Sequence, residues 1–125
     1  MCLALLLRLL PLQAQVFTAQ DIPDSIWARM QGRSYPQECG IARSELRYLE
    51  LSHYDFNGEE HIGQMVCNRQ IADDLLYIFR KLYEAEYPIG RMRLIDDYDA
   101  SDQLSMADNN TSCFCYRRIA GSKTL

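Results

Sequence analysis

The sequence predicts an α+β fold, a mostly antiparallel sheet with two main helices. Three observations carry this. Residues 46–67 place near-alternating strands on either side of Asn57-Gly58, residues 69–86 form one long amphipathic run, and residues 21–31 form a shorter one. Composition agrees with a single globular domain: 125 residues, 48% hydrophobic and 24% charged. The formal net charge is −4. That argues against a nucleic-acid binder, which needs a basic surface to displace counterions from phosphates. The two histidines, His53 and His61, leave little room for a His-rich metal site.

Residues 3–12, LALLLRLLPL, are apolar but fall short of the ~20 residues that span a bilayer. Small Ala14 follows, in Gln13-Ala14-Gln15. The run predicts a secretory signal peptide over residues 1–14, with residues 15–125 as the mature domain and no stable membrane anchor after cleavage. Two features depart from that pattern: no positive charge precedes the run, and Arg8 lies inside it. The alternative is an amphipathic N-terminal helix packed on the domain.

Cleavage leaves Cys39, Cys67, Cys113 and Cys115, which allow three disulfide pairings. On a strand, Cys113 and Cys115 share one face about 7 Å apart, so a bond between them is strained. Bonds to Cys39 or Cys67, or free buried thiols, remain open. A C-x-C pair can ligate zinc, but no second C-x-x-C or His pair completes four ligands at the usual spacing.

The first helix, residues 21–31, has Pro23 in its first turn, where the missing N–H costs nothing. Asp24 suits the positive end of the dipole. Ile22, Ile26, Trp27 and Met30 form its apolar stripe, and Gly32 stops it. Residues 33–45 read as loop. Residues 46–56 and 61–67 are paired strands, joined at Asn57-Gly58, two residues that tolerate the positive φ of a tight turn. His53 and His61 then flank that turn on neighbouring strands. They read as a ligand pair or, more simply, as solvated hairpin histidines.

The long helix, residues 69–86, takes Asn68 as its cap. Ile71, Leu75, Ile78, Phe79 and Leu82 make its apolar face. Asp73 and Asp74 are adjacent, so they diverge by ~100° and read as a solvated first turn rather than an acid–base pair. Tyr87-Pro88 stops the helix. Residues 89–95 alternate as a short strand. The acidic run 96–102 lacks the Gly and closing Glu of a helix–loop–helix calcium loop, and reads as substrate-facing or solvated. A last strand runs from Ser112 to Arg118. No nucleophile, base and oxyanion donors assemble from these residues, so no catalytic residue is assigned.

Three segments, DFNGEEHIGQMVCN, IADDLLYIFRKLYEAEYPIGRMRLIDDYDASDQLSM and ADNNTSCFCYRRIAG, resemble the exported zinc D-alanyl-D-alanine carboxypeptidase-type peptidases. That group includes vancomycin-resistance DD-carboxypeptidases and phage L-alanyl-D-glutamate endolysins. The likeness spans roughly residues 21–125. It implies a bacterial periplasm or cell-envelope location and a peptidoglycan stem peptide as partner. In that family zinc is held by an S-x-H-x-x-G-x-A-x-D segment and a later His, and a Glu serves as general base. None of these segments occurs in this chain, and neither His53 nor His61 matches a family ligand. The resemblance therefore implies the N-terminal part of a peptidase domain, with zinc in the complete domain and none expected in this chain.

The resemblance carries over one functional residue. Arg117, in Tyr116-Arg117, matches the family arginine whose planar fork pairs with the substrate carboxylate; Arg118 is its neighbour. Asn110 and Ser112 are expected to line the same cleft. Cys113 and Cys115 depart from the family's small residue and Asn. Two functions follow as expectations: an inactive fragment of a zinc peptidoglycan peptidase, or a non-enzymatic envelope module that binds cell-wall peptide or a protein partner.

Overall fold

A computed structural model describes residues 15–117. The expected signal segment and Arg118 lie outside the described residues. Three strands form one antiparallel sheet, in the order β1–β2–β3. They are β1 (Phe17–Gln20), β2 (Leu46–Tyr54) and β3 (Glu60–Asn68). Among the described residues, three α-helices accompany them: α1 (Asp24–Met30), α2 (Ala72–Glu84) and the short α3 (Asp102–Ala107). The α+β architecture is the one the sequence predicts.

The sheet is covered on both faces. Alternation along β2 sends Leu49 and Leu51 to one face, where they meet Met65 and Cys67 of β3 and Ala72 and Phe79 of α2. Leu46 and Tyr48 point the other way, onto Ile26 and Met30 of α1, with Val66 and Leu94 beside them. Two cores therefore share one hairpin, and each fully buried Leu contributes about 1.5–3 kcal/mol.

The hairpin forms at its expected place, and its register pairs His53 with His61. The turn differs from the expected tight two-residue form. Asp55 organises it: Asp55 N–H donates to the Glu59 carbonyl at 2.8 Å, and Gly58 N–H returns to the Asp55 carbonyl at 3.1 Å. Gly58 alone takes the left-handed conformation in the turn, at φ +77°. The longer loop arises because the Asp55 carboxylate accepts the N–H groups of Asn57 and Glu59, replacing ladder bonds with side-chain bonds.

The long helix is also in place, although its first turn, Arg69–Ile71, is 3-10. Asn68 caps it by accepting from Gln70 N–H. Its buried stripe is Ala72, Phe79 and Tyr83, with Leu75, Leu76 and Leu82 partly buried. Ile71 and Ile78, expected inside, are exposed. Tyr83 wins the inner face because its ring stacks on Tyr54 at 4.8 Å and meets Phe17 edge-on at 5.5 Å.

The remaining elements correct the sequence reading. β1 was not expected; it pairs with the middle of β2, Phe17 opposite Leu51. Residues 89–95 and 112–117 run extended but form no strand. They touch the sheet through a few backbone bonds: Gln64 N–H to the Met92 carbonyl, Ile89 N–H to the Tyr54 carbonyl and Phe114 N–H to the Val66 carbonyl. Gly63 lets the first of these lie close, since a Cβ there would stand 2.5 Å from Met92 Cβ. The acidic run is exposed at Asp97, Asp99 and Asp102, as expected of a solvated segment, but it is not plain loop. It holds a 3-10 turn, Ile95–Tyr98, and the start of α3. Asp96 is buried and accepts Ser34 N–H at 2.9 Å. The four described cysteines are free thiols; Cys39 and Cys67 are buried.

Candidate functional site

The β2–β3 turn gathers the densest set of chemistry-bearing side chains. A cleft of about 250 Å³ opens beside it, lined by His53, Asp55, His61, Ile62 and the segment Gly90–Arg93. His61 Nε2 lies 2.7 Å from Asp55 Oδ2. Asp55 Oδ1 takes the Asn57 and Glu59 N–H groups, so both carboxylate oxygens are engaged. The His61 bond, followed by the Glu59 N–H bond, holds the Asp55 carboxyl below its ordinary range. The exposed Glu59 reaches the same corner.

His53 is not the solvated residue expected of a hairpin histidine. It is 4% exposed, and its ring stacks on His61 with centroids 5.8 Å apart. Its Nδ1 lies 3.2 Å from the Leu51 carbonyl. A carbonyl only accepts, so Nδ1 carries the proton and Nε2 keeps its lone pair. Burial pushes the His53 pKa down from its ordinary value, with the neighbouring His61 adding to the effect.

The opposite wall is basic. Arg91 Nε donates to Asp108 Oδ1 at 3.1 Å, and Tyr98 OH donates to Asp108 Oδ2 at 2.6 Å. Burial, then the Asp108 bond, pushes the Tyr98 phenol up to about 12. The Tyr98 bond, then Arg91, holds Asp108 low. Sequence reasoning singled out none of Asp55, Glu59, Arg91 or Arg93. One signal was available: an acid three residues before a turn glycine caps that turn, which brings positions 55, 59 and 61 together.

The residues named from the resemblance lie elsewhere along the last segment. Asn110 clamps residue 93. Its Oδ1 accepts Arg93 N–H at 2.8 Å, and its Nδ2 donates to the Arg93 carbonyl and Ser105 Oγ, each at 3.1 Å. Ser112 is half-buried. Arg117 is exposed, and its Nη2 donates to the Ala100 carbonyl at 2.6 Å and to Asp102 Oδ1 at 2.8 Å. Its Nε and Nη1 make no bond among the described residues. The chain was compared with protein-family models, with curated proteins and with solved structures, and none of the three comparisons gave a match.

Proposed function

We propose that this chain is the substrate-side part of a zinc peptidoglycan peptidase domain, exported to a bacterial cell envelope, and that it binds the carboxylate of a stem peptide through Arg117. One observation carries the binding role. Among the described residues, Arg117 is anchored by a single nitrogen, and the other half of its fork makes no bond. Its pair with Asp102 is 46% and 67% exposed, a class worth about 0–1 kcal/mol, so a ligand carboxylate can displace it. A planar guanidinium with two free donors suits bidentate carboxylate recognition.

The residues present do not fit the family's zinc. The S-x-H-x-x-G-x-A-x-D segment is not in the chain. Among the described residues, the His/Asp/Glu group lies at the hairpin turn, while Arg117 bonds to Ala100 and Asp102. The chain's own contribution is binding, and the 125-residue protein is expected to cleave no peptide.

The test is a calorimetric titration of the full chain with an N-acylated peptide ending in D-Ala-D-Ala. The expected result is binding that weakens about tenfold in Arg117→Ala and is kept in Arg118→Ala. Equal binding by both variants, or none by the parent chain, overturns the reading. A non-enzymatic envelope module makes the same binding prediction. It parts from the peptidase reading if DNA encoding residue 125 is followed by a stop codon rather than by the S-x-H segment.

A further inference from the structure

The last extended segment is fastened to β3 through Phe114 N–H, which donates to the Val66 carbonyl at 2.9 Å. The Val66 carbonyl belongs to the peptide group that leads into Cys67, and the Phe114 N–H to the one that leads out of Cys113. The two cysteines therefore flank the same backbone bond. We infer that Cys67 and Cys113 are a disulfide-forming pair, and that their bond ties the last segment to the hairpin.

Side-chain direction brings both residues to one face. Phe114 packs with Val66 in the second core, whereas Cys67 lies in the first, with Leu49, Leu51 and Met65. Alternation along an extended chain turns Cys113 away from Phe114, toward the face that Cys67 occupies. Cα atoms opposite one another across paired strands stand about 4.5–5.5 Å apart, within the about 4.4–6.8 Å that a disulfide spans. The thiols also act on each other: after burial, Cys113 is the next contributor to the raised pKa of Cys67. The other two cysteines face elsewhere. Cys39 acts on Tyr35, which packs on the second core. Cys115 feels Arg117, Asp102 and Asp96.

Both residues are thiols in the structure. Joining them needs a two-electron oxidant, and a small-molecule disulfide of the glutathione class supplies it. The exposed Cys113, as thiolate, attacks one sulfur of that disulfide. A mixed disulfide forms, and the small thiolate released takes up a proton in place of the one Cys113 lost. Cys67, once deprotonated, attacks the Cys113 sulfur and expels the second small thiolate, which is protonated in turn. Two protein thiols are oxidised and one small disulfide is reduced to two thiols. The bond closes a loop from residue 67 to residue 113 that holds α2, the Gly90–Arg93 cleft wall and α3, so it restrains the unfolded chain.

The test treats the reduced full chain with oxidised glutathione under native conditions. Free thiols are then blocked and the chain is digested without reduction for mass spectrometry. The expected product is one linked peptide pair that joins Cys67 to Cys113, located by fragmentation between Cys113 and Cys115. Cys115→Ser should keep the link, and Cys113→Ser should abolish it. The linked chain should unfold at a higher urea concentration than the reduced one. The idea fails if Cys113 carries glutathione while Cys67 stays a thiol, if no link forms, or if the link runs through Cys39 or Cys115. Should a serine variant not fold, fragmentation of the parent's linked peptide decides. The peptide titration with Arg117→Ala is run on the reduced chain, so either reading can fail alone.

Discussion

Asn110 grips Arg93 by its backbone at both ends, accepting its N–H at 2.8 Å and donating to its carbonyl at 3.1 Å. This side-chain amide stands in for a strand partner. It ties the last segment to residues 91–93, which form the wall of the cleft. Replacing Asn110 with Ala strips both backbone groups of their partner. The expected cost is about 1–3 kcal/mol in urea denaturation. Asn110→Asp should also destabilise, because a carboxylate cannot donate to the Arg93 carbonyl or to Ser105. Full stability of either variant would remove the clamp.

Gly63 is required by close approach. A Cβ there would meet Met92 Cβ at 2.5 Å, whereas one on Gly40 meets nothing within 4 Å. Gly63→Ala should cost about 1–3 kcal/mol, and Gly40→Ala should stay within about 0.5 kcal/mol. Thermal melts of the two variants side by side decide this; equal melting temperatures would contradict it.

His53 makes stability depend on pH. Its folded pKa lies below the ordinary 6.5, so the unfolded chain binds the proton more readily. The stability His53 contributes is present above 6.5 and is lost as pH falls through the folded pKa. Stability should decline below pH 6.5 more steeply for the parent than for His53→Gln. Parallel pH profiles would refute the assignment.

The thiols should differ in reactivity. Cys67 is fully buried, and burial pushes its pKa up to about 12, so it stays protonated at pH 8. Cys113 is exposed. Alkylation of the native chain at pH 8, followed by peptide mass mapping, should mark Cys113 well before Cys67. Equal labelling would mean that the β3 core opens freely.

Arg117 should matter little to folding. Its ion pair with Asp102 is solvent-exposed on both sides, so Arg117→Ala should change stability by less than about 1 kcal/mol. A larger loss, measured by urea denaturation, would make it a structural residue and weaken its proposed role in binding.

Local signals were legible in the sequence. The strands around Asn57-Gly58 carry near-alternating apolar residues and a turn signal within a few positions of each other. The Asn68 cap opens the long helix where expected. The helix's inner face was less legible. Ile71 and Ile78 fit a helical stripe as well as Ala72 and Tyr83 do, and only the rings of Tyr54 and Phe17 above α2 choose between them. β1 escaped notice because Phe17–Gln20 is four residues long and its partner lies some thirty positions away.

By itself, then, the chain specifies its hairpin, its two main helices and the α+β class, because periodicity, caps and turn residues act over a few residues. Tertiary structure decided the rest. It buried His53, which lies on the same face of β2 as Leu49 and Leu51 of the first core. It turned Asp55 from a strand end into the anchor of a turn, and it brought Glu59 and His61 to that carboxylate. It also gave Arg117 a partner in Asp102. Each of these depends on which distant segments meet, and the net of burial and long-range bonding sets that rather than any local preference.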